Sequence, residues 1–236
     1  MSQNLIEITD IHHKISSKFS IDLDQLFFQD GPIYAFTGES GAGKSELLKI
    51  LALLTKVDQG NVKVFDTPAH TEGDLLALRR RLGYLAQQPY LFRGTVFQNI
   101  AMGLEYRGED AEHIETRVQK LLKEFNLIKQ AHHMVNDLPV AQQKLTALLR
   151  TLAPHPEVLI LDEPTTYLDY DQYNHLLDYL YMLNNERGIM IILATKHRDV
   201  ISRLANISIH MRYGKIVRIL TGQHQTGGKD TTLRSS

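Results

Sequence analysis

The stretch GESGAGKS, residues 38–45, constrains this chain more than any other. It fits the pattern GxxxxGK[ST]. It lies between a short apolar run, PIYAFT at 32–37, and an apolar stretch, SELLKILALL at 45–54. A strand that runs into a glycine-rich turn and then opens a helix is the setting this pattern requires. Glycines there let backbone N–H groups turn inward around a phosphate, and the helix N-terminus adds partial positive charge. Gly38, Glu39, Ser40, Gly41, Ala42 and Gly43 form the cradle, and Glu46 follows on the helix. Lys44 can reach the β- and γ-phosphates of a nucleotide, and the Ser45 hydroxyl can hold Mg²⁺. The 45–54 stretch is apolar almost all round, so a buried helix is expected.

A second element supports a nucleotide. VLILDEP, residues 158–164, is an apolar strand that ends in two carboxylates. Alone, such a pair reads as a solvated turn. Behind a phosphate loop it reads as a metal-and-base pair: Asp162 binds Mg²⁺ through water, and Glu163 orients or deprotonates the attacking water. No Asn-Lys-x-Asp sequence is present to read guanine, so GTPases are set aside. The phosphate loop by itself leaves a small-molecule kinase open.

The rest of the chain alternates strands and helices. Residues 5–11 and 18–26 have period-two patterning, and 60–66 reads as a further strand. Residues 81–89 read as a strand ending in a loop closed by Pro89. In 111–125, Ile114, Val118, Leu121, Leu122 and Phe125 fall on one helical face. Leu138, Ala141, Leu145, Leu148, Leu149 and Leu152 do the same in the next helix. The continuous apolar runs at 157–162 and 188–195 fit strands buried on both faces of a parallel sheet. Residues 206–220 read as a hairpin turning at Tyr213 and Gly214. The expected class is therefore α/β, with the helical stretch 88–152 inserted in the core. Residues 221–236 are small and polar and are expected to be a disordered tail.

Composition limits the setting. The chain has 236 residues, net charge −1 and no cysteine, so disulfides and thiol catalysis are excluded. Near-neutral charge gives no case for nucleic acid as a partner. The run of arginines at 79–81 reads as a solvated helix end. The histidine pairs at 12–13 and 132–133 read as exposed or loop residues rather than metal ligands. Tyr167, Tyr170, Tyr173, Tyr179 and Tyr181 read as packing and surface groups of one helix. No apolar run approaches the ~18–20 residues that span a bilayer. The expected location is cytoplasmic, peripheral at the inner face of the cell membrane through a partner.

From residue 5 to about 219 the sequence resembles the ATP-binding cassette (ABC) family, the nucleotide-binding subunits of ABC transporters. GESGAGKSELLKIL is similar to the family's Walker A motif and following helix. LGYLAQQPYLFRGTVFQNI is similar to the Q-loop, with Gln87 in the glutamine position. LILDEPTTYLD is similar to Walker B and the D-loop, and GIMIILATKHRDV occupies the switch-histidine strand. The order and spacing match, and a kinase becomes a poor fit. The resemblance implies a P-loop NTPase fold of ABC type, with a RecA-like core, an antiparallel β subdomain and a helical subdomain. It implies one such domain over 1–220, with the helical subdomain at about 88–152. It also implies an ATPase using ATP and Mg²⁺ that works as a homodimer or heterodimer with a second ABC ATPase beside membrane-spanning transporter subunits. Gln87 joins Ser45 and Asp162 at the metal, Glu163 acts on the hydrolytic water, and Asp169 contacts the opposing subunit. The alternative is a soluble ABC-type ATPase with a regulatory or assembly role and slow hydrolysis.

The departures are specific. LPVAQ, residues 138–142, falls on the family's LSGGQ signature, whose serine and glycines bind the γ-phosphate of the other subunit's ATP. Pro139 has no N–H to give, and Val140 and Ala141 carry Cβ atoms where glycine lets backbone approach. A proline near a helix start is tolerated, so the helix is expected to survive. Lys196 sits in the switch-histidine slot with His197 next to it, and we expect His197 to contribute if the strand ends early. Ile15 aligns with the family's adenine-stacking tyrosine, with His12, His13 and Phe19 nearby.

Overall fold

The alternation at the start of the chain makes a long hairpin. In β1 (Asn4–Ser16), Ile6, Ile8 and Ile11 are buried. In β2 (Phe19–Gln29), Ile21, Leu23, Leu26 and Phe28 meet them. The structure is a computed structural model, and it describes residues 4–222. Next come β3 (Ile33–Thr37) and α1 (Lys44–Leu51). β4 (Gln59–Val64) and β5 (Thr67–Pro68) follow, reversed at Phe65 and Asp66, which both take positive φ. α2 (Glu72–Arg81) is capped by the Thr71 hydroxyl and leads into β6 (Leu82–Leu85).

α3 (Val96–Glu105) opens with a capping box: the Thr95 hydroxyl accepts the Gln98 N–H, and the Gln98 amide oxygen accepts the Thr95 N–H. α4 (Ala111–Glu124) and α5 (Val140–Leu152) complete this helical stretch. The chain then alternates through β7 (Val158–Asp162), α6 (Tyr170–Arg187), β8 (Met190–Ala194), α7 (Arg198–Leu204), β9 (Ile207–Arg212) and β10 (Lys215–Thr221).

Two sheets result. One is antiparallel, in the order β2-β1-β4-β5; the other runs β10-β9-β3-β8-β7-β6. In the second, β3 is parallel to both β9 and β8, β8 to β7, and β7 to β6; only β10 is antiparallel to its neighbour. Its inner strands β3, β7 and β8 are buried on both faces and split the core by period two. Leu159, Leu161, Ile191 and Leu193 pack with α3, α4, α5 and α6. Val158, Ile160, Ile192 and Ala194 pack with α1 and the antiparallel sheet. The register aligns Phe36 with Ala194 and Ala194 with Asp162. Three strands thus end at one sheet edge. In an open α/β sheet that is where ligands bind.

β6 ends at Leu85 and gives way to a loop, as expected for 81–89. Two boundaries differ from the sequence expectation. The helix after the phosphate loop stops at Leu51; Leu53 turns left-handed (φ 58) and Leu54 is 52% exposed. Thr221 belongs to β10, and the Gly222 N–H donates to the Asn206 carbonyl at 2.6 Å, so the chain is ordered slightly past the point where a tail was expected. The remainder of that tail, 223–236, lies outside the described residues.

Candidate nucleotide-binding site

The loop between β3 and α1 wraps tightly. Gly38 has φ 131, and a Cβ there would stand 2.2 Å from the Met211 carbonyl oxygen, so only glycine fits. The Ala42 N–H closes back on the Glu39 carbonyl at 3.2 Å. Lys44 opens α1, and its Nζ donates to the carbonyls of Gly38 (2.7 Å) and Glu39 (2.9 Å). Burial lowers the Lys44 pKa, while Glu163 and Asp162 act in the opposite direction. Glu46 faces its own partners: Lys49 Nζ and Thr55 Oγ1 donate to its two oxygens, each at 2.9 Å.

Across from the loop, β7 delivers two carboxylates that are almost fully buried: Asp162 at 3% exposure and Glu163 at 7%. Burial pushes the Asp162 pKa up; a hydrogen bond from Ser45 and the charges of Lys144 and Lys44 hold it back. A hydroxyl and a carboxylate meeting at a phosphate loop form a hard oxygen donor set, which fits Mg²⁺. Glu163 lies just past the strand in a left-handed conformation (φ 45), and its N–H donates to the Ala194 carbonyl at 2.9 Å. Its carboxylate accepts from the Thr195 hydroxyl (3.4 Å) and the Lys196 N–H (3.1 Å). The two residues after β8 therefore aim Glu163.

These groups line a cavity of about 390 Å³. Gly38, Ser40, Gly41, Ala42, Gly43, Lys44, Ser45 and Glu46 form one wall, and Gln87, Asp162, Glu163 and Lys196 face it. Ile15 and Phe19 form an apolar lip. Glu39 serves through its carbonyl and does not line the cavity. His197 does not line it either: β8 ends at Ala194, His197 is already the N-cap of α7, and its N–H is held by Thr195 Oγ1 at 3.1 Å. Of the two switch candidates, Lys196 is the one at the cavity. His12 and His13 face Asp22, Glu46 and Asp58 instead. A larger opening of about 550 Å³ lies elsewhere, with Arg117 on its wall. Arg117 is already committed to the Leu152 and Ala153 carbonyls, and no phosphate loop faces that opening.

The segment 138–142 keeps its helix. Pro139 is the N-cap of α5, with φ −54 and no side-chain cap, and Val140 is 54% exposed. Sequence reasoning missed Lys144 on this helix. It is 2% exposed, and its Nζ donates to the carbonyls of Ala86 (3.0 Å) and Gln87 (2.8 Å). Burial pushes its pKa down to about 8, against the pull of Asp162 and Glu163. One signal was available. At 100° per residue Lys144 adjoins Leu148 at the border of the apolar face, where a lysine is out of place.

A phosphate loop at a sheet edge, with a buried carboxylate pair opposite, defines a P-loop nucleotide-binding α/β protein. The chain belongs to the ABC transporter family, whose model matches residues 23–166. It is 32% identical over 216 residues to the methionine import ATP-binding protein MetN of Legionella pneumophila, covering 90% of this chain and 63% of that relative. It is 36% identical over 218 residues to ABC transporter I family member 17 of Arabidopsis thaliana, covering 92% of this chain and 80% of that relative. An ATP-binding cassette solved as a dimer in a post-hydrolysis state, bound to ADP and Pi, matches with TM-score 0.83 at 25% identity, over 92% of this chain and 98% of that one. The chain thus spans a little under two thirds of the methionine-import relative, at 63%. No helix among the described residues is long and apolar enough to cross a membrane.

Proposed function

We propose that the chain binds and hydrolyses ATP to drive a membrane transporter, pairing with a second ATP-binding cassette against membrane-spanning subunits. One observation carries the chemistry: the Glu163 carboxylate, 7% exposed, is aimed by Thr195 and Lys196 at a cavity whose opposite wall is the phosphate loop. ATP would lie with its phosphates along residues 38–45 and its base against Ile15 and Phe19. Mg²⁺, when bound, supplies charge neutralisation for the β- and γ-phosphates. Ser45 and Asp162 would hold it, with Gln87 completing the set. Lys44 stabilises the charge on the phosphates. Glu163 takes the proton of the attacking water or orients it. Lys196 offers positive charge beside the γ-phosphate, and unlike a neutral histidine it does not shuttle a proton. The names of the methionine-import relatives support transport. Cargo is chosen by the membrane-spanning chains. Such a partner would keep the chain at the cytoplasmic face of the membrane.

Each ATP site in such a pair takes its phosphate loop from one subunit and its signature from the other. The segment 138–142 would therefore cap the partner's nucleotide, and it is poor in donors. Losing one oriented transition-state donor costs roughly 10²–10³ in rate. We infer an asymmetric pair in which Glu163 works opposite an intact signature on a different chain.

Phosphate release by the chain paired with a cassette that carries an intact signature, and by Glu163→Gln in the same pair, tests the reading. The substitution should lower turnover by about 10²–10⁴-fold, the usual worth of a positioned general base. ATP binding should persist. Equal turnover in the two proteins would remove Glu163 from the chemistry.

A further inference from the structure

Lys144 is the most deeply buried charge on the helical side of the site. Lysine is almost never fully buried without a partner, yet Lys144 is 2% exposed and makes no ion pair among the described residues. Its ammonium is satisfied by main chain. The two acceptors, the carbonyls of Ala86 (3.0 Å) and Gln87 (2.8 Å), belong to the residues that follow β6. The second of them, Gln87, lines the nucleotide cavity. Asp162 and Glu163 both act on the Lys144 charge, so the ammonium lies within their electrostatic reach.

Three parts of the molecule converge on this one atom. Lys144 leaves α5 just after the 138–142 segment, grips the backbone from which Gln87 projects, and lies within the field of Asp162 and Glu163. Hydrogen bonds from a charged donor are short and directional, and two of them from one ammonium fix the peptide units they reach. An apolar residue here would leave two part-buried carbonyls without this donor and free the backbone at 86–87.

We propose that Lys144 is a positioning residue for ATP hydrolysis: it fixes the backbone at Ala86 and Gln87 so that the Gln87 side chain is presented to the phosphate end of the cavity. The seating of α5 against β6 then becomes part of the active site. This rests on the assignment of Gln87 above. The competing role is structural, with Lys144 satisfying two carbonyls and nothing more.

A double-mutant cycle on the full chain separates the two roles. Lys144→Met keeps the length of the side chain and removes its donors. Lys144→Arg keeps charge and donors. Each is combined with Gln87→Ala, and kcat, KM for ATP, the Mg²⁺ concentration giving half-maximal activity, and Tm are measured. If Lys144 acts through Gln87, Lys144→Met and Gln87→Ala each lower kcat by about tenfold and raise the Mg²⁺ requirement. The double variant is then worse than either by no more than about twofold. Lys144→Arg recovers at least half of kcat. The proposal is overturned if Lys144→Met lowers Tm but leaves kcat and the Mg²⁺ requirement unchanged, or if the two effects multiply. A silent Gln87→Ala overturns the assignment of Gln87, and the proposal with it. Should Lys144→Met fail to fold, Lys144→Gln retains a donor group and carries the same cycle.

Discussion

Glu163 occupies a backbone conformation that a residue with a Cβ adopts rarely, φ 45, and it does so immediately after a strand whose every residue is buried. Such a conformation costs of order 1–3 kcal/mol and persists only where the surroundings hold it. Here the Ala194 carbonyl takes its N–H, and Thr195 and Lys196 take its carboxylate. Lys196 is also one of the two candidates for the switch position, with His197 as the other. Lys196→Ala should lower ATP turnover by about tenfold or more, since it removes a charge on the cavity wall. His197→Ala should change turnover by less than about twofold, because that side chain lies off the cavity and on the N-cap of α7. Steady-state phosphate release compares them directly; a larger loss from His197→Ala would reverse the assignment. The carboxylates were legible from their place after an apolar run. The choice between Lys196 and His197 was not. Alternation along a strand decides which face a residue takes only while the strand lasts, and β8 stops at Ala194.

At the scale of elements, α5 shows how a helix keeps its shape while its start is poor in donors. Its apolar face, from Leu145 to Leu152, packs in the core, and Pro139 fits a helix start. Replacing Pro139, Val140 and Ala141 by Ser, Gly and Gly should raise turnover of the chain alone at least about tenfold. It should also cost roughly 0.5–1 kcal/mol of stability for each glycine placed in the first turn. Unchanged turnover would show that this segment does not limit the reaction. A second element-level contact ties the end of α2 to the start of β7. Arg81 makes a two-pronged ion pair with Glu157, at 2.6 and 2.7 Å, and the Glu157 N–H donates to the Arg81 carbonyl at 2.8 Å. The arginine holds the Glu157 carboxyl below its ordinary value of 4.5. A depressed carboxyl pKa stabilises the fold above that ordinary value, and the contribution is lost as pH falls through the folded value. Both side chains are about half exposed, so the pair is worth at most about 1 kcal/mol. Glu157→Gln should lower Tm by about 1–3 °C at pH 7, with the gap closing as the pH drops below 4.5. A gap that stays constant with pH would remove the ion pair as its cause. Periodicity made α4 and α5 readable. α3 carries the same spacing in Val96, Ile100 and Leu104, but over only ten residues behind the capping box at Thr95 and Gln98. Periodicity did not mark α2, where Leu78 is the single buried residue and leaves almost no stripe to see.

For the molecule as a whole, the central sheet divides the buried residues into two bodies, and the phosphate loop sits at the edge where three strands end together. Held in Mg-ATP, Glu163→Gln should shift from monomer to dimer on size exclusion, or recruit a second cassette from solubilised membranes. The wild-type chain should dimerise less, because hydrolysis reopens it. A variant that remains monomeric with and without nucleotide would overturn the pairing. This scale was the most legible of the three, since a continuous apolar run announces a buried strand whatever its neighbours are. The order of the strands was not legible, because pairing between distant segments leaves no local pattern.

That order has a consequence for how the site comes into being. β3, which leads into the phosphate loop, has β8 and β9 as its two neighbours, and both are made long after it. Gly214 lies later still. It has φ 74 and sits so close to the hairpin that a Cβ would overlap the Ser20 carbonyl. Its N–H donates to the Ala42 carbonyl inside the loop at 3.0 Å, and its own carbonyl accepts the Asp22 N–H at 3.1 Å. The phosphate cradle is written early in the message but is closed by a hairpin encoded well after it. A nascent chain cannot complete the cradle until that hairpin has been made, so competence to bind ATP should appear only when translation has passed Gly214.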